Sequence, residues 1–108
     1  MNERQDAPAP EILHVLQPGE ELTIYARPRG AVIAVTDRRV ILTDNDRVVF
    51  DLPFEGIRRL QFDLERGRPG TFSIVPESLA AEPQVLSVPL EEYEHMAAVA
   101  VRIGQRLG

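Results

Sequence analysis

The sequence predicts a small antiparallel β-barrel or sandwich closed by one C-terminal helix. Three observations carry that reading. Apolar and polar residues alternate through most of the chain, the period of a strand with one buried face. Turn-forming residues break the alternation at hairpin spacing. Beyond about residue 90 the apolar spacing changes to three and four, one stripe of a helix.

Residues 1–9 read as a polar tail, and Pro10 opens a short helix whose apolar side is Ile12, Leu13 and Leu16. Pro18-Gly19 closes it. Leu22, Ile24 and Ala26 alternate with Thr23, Tyr25 and Arg27, so residues 21–27 form the first strand. Residues 31–36 and 39–44 are the next two, joined at Asp37-Arg38, and Asn45-Asp46 turns the chain into a fourth over 47–52. Pro53 and Phe54-Glu55-Gly56 carry it round a corner. A fifth strand over 57–65 points Leu60, Phe62 and Leu64 inward, and residues 66–70 read as a loop. Phe72 and Ile74 mark a sixth strand, while Leu86, Val88 and Leu90 face the core from a seventh. In the final segment Tyr93, Met96, Ala97, Ala100, Ile103 and Leu107 make the helical stripe, with Val99 off it. Glu91, Glu92 and Glu94 near its start and Arg102 and Arg106 near its end follow the charge order that the helix dipole favours.

A chain of 108 residues is one domain, here expected over 10–108, and it can bury a core without staples. It contains no cysteine, which removes disulfides, thiolate zinc sites and cysteine nucleophiles. All twelve cationic residues are arginine, so Schiff-base lysines and a GK[ST] phosphate loop are excluded too. The net charge of −5 repels a nucleic-acid backbone on average. The longest apolar run, Met96–Val101, is far short of the roughly 20 residues a membrane span needs. MNERQDAPAPE has no signal-peptide core, and a cytoplasmic protein is expected.

Three short motifs add a resemblance. Leu16-x-Pro-Gly-Glu20, TDRRVILTD at 36–44 and LPFEGI at 52–57, followed by the terminal helix, resemble the small bacterial pleckstrin-homology-like (PH-like) domains. Those run LxxGE, then T-[ND]-x-R-[LVI] at a strand turn, then I-P-[LFY]-x-x-I; Leu52 stands where the last usually has isoleucine. The match runs from about residue 11 to residue 107. The resemblance implies a seven-stranded barrel capped by a helix, and a binding or assembly module with no catalysis and no cofactor.

Adjacent Arg38 and Arg39 raise the question of an anion clamp, but neighbours on an extended chain point to opposite faces. One is expected in solvent, the other pairing locally or covering apolar surface with its stem. In the phosphoinositide-binding branch of the resembled fold, basic residues surround the loop between strands one and two. Arg27 and Arg29 flank Pro28 there, while strand two carries no basic residue. Arg27, Arg29 and Arg38 are therefore the candidates for an anionic ligand or phospholipid headgroup. Arg58, Arg59, Arg66 and Arg68 lie among Glu55, Asp63 and Glu65, a mixed-charge face with no aromatic interleaving for nucleic acid. His14 and His95 have no metal-ligand spacing, and no serine lies in a G-x-S-x-G elbow, so neither a metal site nor an enzyme is expected.

The apolar residues of strands two to four are too many for one buried face. Ile41 and Val49 share a parity with Arg39, Thr43, Arg47 and Asp51 and are placed outside; Ile33 and Val35 are placed with them. β-Branched side chains on neighbouring strands suit self-association or pairing at a sheet edge, so the expected partner is a protein, its own copy included. Aspartate at Ile41 or Val49 is then expected to weaken an oligomer.

Overall fold

The computed structural model describes residues 10–28, 30–45 and 47–107. The polar tail over 1–9 and Arg29 lie outside the described residues. Seven strands and two helices follow in order: α1 (Pro10–Leu13), β1 (Leu22–Ala26), β2 (Ala31–Thr36), β3 (Arg39–Asp44), β4 (Arg47–Pro53), β5 (Ile57–Glu65), β6 (Arg68–Pro76), β7 (Gln84–Val88) and α2 (Tyr93–Leu107). They form two antiparallel sheets, β1-β2-β3-β4 and β5-β6-β7, joined through a 3-10 turn at Phe54–Gly56. The predicted seven strands and terminal helix are all present.

The interior lies between the sheets and under α2. Ile33 and Val35 of β2, Val40 and Leu42 of β3, Phe72 and Ile74 of β6, and Met96, Val99 and Ile103 of α2 form its centre. Phe62 meets Phe72 and Tyr93 edge-on, with ring centroids 6.1 and 6.0 Å apart, a favourable aromatic geometry. The C-terminal end of α2 is pinned twice. The Arg106 guanidinium sits 4.2 Å above the Phe54 ring, and its Nη1 donates to the Asp37 carbonyl at 3.2 Å.

Several inward assignments change. Val99 is fully buried and Ala97 exposed, because the helix centres 96, 99 and 103 on the sheets, with Tyr93, Ala100 and Leu107 of the expected stripe packed beside them. Leu64 is exposed because the β5–β6 register slips between Asp63 and Glu65, and a bulge leaves it outside the regular pairing. Strand β6 starts at Arg68, so the expected loop over 66–70 shrinks to a tight turn in which Gly67 takes φ +77°. Strand β7 ends at Val88, and Leu90, placed in a short 3-10 turn, points to solvent.

Gly104 sits in the interior of α2, and a Cβ built there meets nothing within 4 Å. Gly104→Ala is expected to stabilise the domain by about 0.5–1 kcal/mol, since alanine loses less backbone entropy on folding. Thermal melting that showed no upward shift would contradict this.

Candidate functional site

The motif arginine that is not in solvent is Arg39, and its burial is the main polar feature of the structure. Leu22 pairs with Thr36, so Glu20, two residues earlier, arrives beside the β2–β3 turn. Arg39 Nε donates to Glu20 Oε2 and Nη2 to Glu20 Oε1, both at 2.8 Å, a bidentate pair. Its Nη1 donates to Asp51 Oδ2 at 2.8 Å and Nη2 also to the Val15 carbonyl at 2.9 Å. Thr36 Oγ1 donates to Glu20 Oε2 at 2.7 Å and accepts the backbone N–H groups of Arg38 and Arg39, both at 3.0 Å. The Gln17 N–H donates to Glu20 Oε1 at 2.9 Å.

The Glu20 side chain is completely buried, and only this ring of donors makes that tolerable. Hydrogen bonding to Arg39 is the chief cause that lowers its pKa from 4.5 to about 2, against the opposing effect of burial. The same bond raises Arg39 above its ordinary value. A guanidinium whose fork already holds a carboxylate has little to offer a free anion, so the arrangement ties Leu16-x-Pro-Gly-Glu20, TDRRV and Asp51 together as architecture. Motif order hinted at a fold signature; the pairing of Glu20 with Arg39 was not read from the sequence, because it depends on the β1–β2 register.

Arg38 is exposed, with Nη1 3.4 Å from Gln17 Oε1 and Nε 3.9 Å from Asp37 Oδ2, a surface pair of small energy. Arg27 lies elsewhere. Its backbone N–H donates to Glu92 Oε1 at 2.9 Å, and its guanidinium stands 5.6 Å from the Tyr25 ring. Because Leu22 opposes Thr36 while Ala26 opposes Ile33, Arg38 and Arg27 belong to opposite ends of β1, about 13 Å of strand apart at roughly 3.3 Å per residue. The expected three-arginine cluster is therefore not assembled by Arg27 and Arg38, and Arg29 is outside the described residues. His95 Nδ1 stands 3.9 Å from Glu92 Oε2. Among the described residues no three His, Cys, Asp or Glu side chains are grouped to hold a metal ion.

The expected outer patch also rearranges. Ile33 opposes Leu42 and Val35 opposes Val40, so both share the inner face of those partners and are buried in the interior. Ile41 does lie on the outer face, opposite Ala34, but it is fully buried beneath the N-terminal segment. Of the four, Val49 alone is exposed. Val48 beside it is exposed too, as are Leu13, Leu64, Leu79 in the β6–β7 loop, Val85 on β7, Leu90 just beyond it and Val101 on α2. Alternation hid Leu64 and Leu90, which match the inward parity of their expected strands.

Strand β7 is an edge. It pairs with β6 on one side and, among the described residues, has no ladder on the other. Gln84-Val85-Leu86-Ser87-Val88 carries no charge, whereas the edge strands β4 and β5 carry Arg47 and Asp51, and Arg58, Arg59, Asp63 and Glu65. The fourth edge strand, β1, is packed by α2.

No protein-family model and no curated protein matches the sequence. Solved structures do. The crystal structure of a pleckstrin-homology domain from Shewanella amazonensis SB2B superposes with a TM-score of 0.70 at 16% identity, over 91% of this chain and 83% of that one. A DUF1696-family protein with a pleckstrin-homology domain from Shewanella loihica PV-4 gives 0.72 at 15% identity, over 97% and 98%. The fold is that of a pleckstrin-homology domain. Both neighbours are bacterial, so the PH-like architecture implied by the three motifs is what the chain adopts. In this PH-like domain no helix among the described residues is long and apolar enough to cross a membrane.

Proposed function

We propose that this PH-like domain is a non-enzymatic protein-binding module, and that it binds a second copy of itself along the free edge of β7. The carrying observation is that β7 is an edge strand without a charge, whose Val85 is 64% exposed. Proteins that must keep an edge free protect it with charge, proline or a covering element. Here the prolines stand only at the flanks, Pro83 and Pro89, leaving five residues open to pairing. An antiparallel two-fold about Leu86 would set Gln84 opposite Val88 and Val85 opposite Ser87 of the partner, with no charge facing charge. Leu79 in the loop before the strand and Leu90 in the turn after it are 93% and 72% exposed.

The test is the solution mass of the intact chain across a wide concentration range, by light scattering. A concentration-dependent dimer is expected, and Val85→Asp is expected to weaken it at least about tenfold, since a carboxylate would be buried without a partner. Its melting temperature should stay within a few degrees of the parent, because Val85 is a surface position. A parent chain that stays monomeric at millimolar concentration, or a dimer indifferent to Val85→Asp, rejects this edge. The anionic-ligand alternative is separable by binding of inorganic phosphate or of acidic vesicles at low salt.

A further inference from the structure

The uncharged strand β7 lies between two prolines, and an exposed carboxylate stands beyond each of them. Pro83 and Pro89 are placed symmetrically about Leu86, with Glu82 before the first and Glu91 after the second. Proline has no N–H to give a ladder, so a register that drew either one into the paired stretch would lose a bond. A two-fold about Leu86 keeps both outside and sets Pro83 opposite the partner's Pro89. The same register brings Glu82 opposite the partner's Leu90, one position from the partner's Glu91, and symmetry repeats this at the other end. Glu82 and Glu91 are exposed, and neither forms an ion pair with another described residue. Glu92, by contrast, is buried and accepts the Arg27 N–H. Gly70 opposes Val88, so β6 brings Arg68 to the Glu91 end of the strand, where its Nε already faces Glu65 Oε1 at 3.8 Å.

Resting on the β7 reading above, we propose that this edge is gated by charge: Glu82 of each copy meets Glu91 of the other, so self-pairing tightens as ionic strength rises. Like charges facing each other across an antiparallel pair are destabilising, and here they close both ends of the paired stretch. The uncharged strand supplies the attraction, and the acidic ends set how much of it survives. At about 0.01 M salt the screening length is about 30 Å, and both ends repel. At about 0.15 M it is about 8 Å, and much of that repulsion is removed. The net charge of −5 on each copy adds a diffuse repulsion of the same sign, which the test has to separate from the ends.

The dimer dissociation constant is measured by sedimentation equilibrium for the intact chain, Glu82→Gln and Glu82→Arg, in sodium chloride at both of those concentrations. A chain carrying Asp63→Asn and Glu55→Gln, both exposed and outside β7, changes the net charge by as much as Glu82→Arg and serves as the control. The intact chain is expected to pair at least about threefold more tightly at the higher salt. At low salt Glu82→Arg should pair about tenfold more tightly than the intact chain, with Glu82→Gln between them, because two repulsions become two attractions. Its own pairing should weaken as salt is added. The control should move by less than about twofold. A dimer that Val85→Asp weakens but Glu82→Arg leaves unchanged overturns the gate and leaves the β7 edge standing. A control that tightens as much as Glu82→Arg overturns the gate too, since net charge alone would then account for it. A chain that stays monomeric at millimolar concentration in either salt overturns both readings.

Discussion

Replacing Arg39 with alanine is expected to lower the unfolding free energy by about 3–5 kcal/mol, measured by denaturant titration. Removing the guanidinium leaves the Glu20 carboxylate buried without its bidentate partner, and breaking a buried pair from one side is among the costlier single changes. It also frees the Val15 carbonyl and Asp51, which the same fork holds. Arg39→Lys should recover only part of the loss, since an ammonium cannot reproduce two parallel bonds to one carboxylate. Glu20 adds a pH signature. Its folded pKa of about 2 lies below the usual 4.5, so its ionised form contributes stability above pH 4.5. That contribution, about 3 kcal/mol, is lost as pH falls from about 4.5 towards 2, and Glu20→Gln should remove this part of the acid dependence. An Arg39→Ala chain as stable as the parent would show that Glu20 finds other compensation.

Ile41→Asp and Val49→Asp separate a covered face from an open one. Both residues belong to the outer parity of their strands, and equal behaviour follows from the pattern alone. In the structure Ile41 is fully buried under Ile12 and its neighbours, while Val49 is 44% exposed. Ile41→Asp places a carboxylate among Tyr25, Val32 and Ala34, and it is expected to cost at least about 4 kcal/mol, a large fraction of the stability of an ordinary domain. Val49→Asp should change stability by no more than about 0.5 kcal/mol. Circular dichroism melts of the two variants provide the comparison. Loss of an oligomer by Ile41→Asp would therefore report the loss of the fold rather than of a contact.

The contrast shows where a reading of alternation stops. Strands β2, β3 and β5 were legible to the residue, because each is bounded by turn chemistry and has a clear period. The helix and most of its apolar stripe were legible, but Val99 took the inward place expected for Ala97, since both fit a three-four spacing. Leu64 and Leu90 kept the inward period yet lie outside, one at a bulge and the other past the strand end. For β2, with apolar residues on both parities, no local rule could choose a face. Pairing chose it: Ile33 and Val35 stand opposite Leu42 and Val40, and Ile41 stands opposite Ala34.

The functional surfaces divide in the same way. Arg27 and Arg38 are close in sequence and basic, yet antiparallel pairing sends them to opposite ends of β1. Glu20 and Arg39, 19 residues apart, become a buried bidentate pair because the same pairing brings strand ends together. The free edge of β7 has no signature in its own five residues; it exists because β6 pairs on one side and no strand among the described residues pairs on the other.

Local pattern thus gave the number and kind of elements, the turns between them and the class of fold, since alternation, turn residues and helix spacing depend only on near neighbours. Which apolar face is interior, which is covered by the N-terminal segment and which edge remains open were settled by strand register and by the docking of residues 12–16. Those are contacts between parts of the chain far apart in sequence, and a period of two carries no information about them.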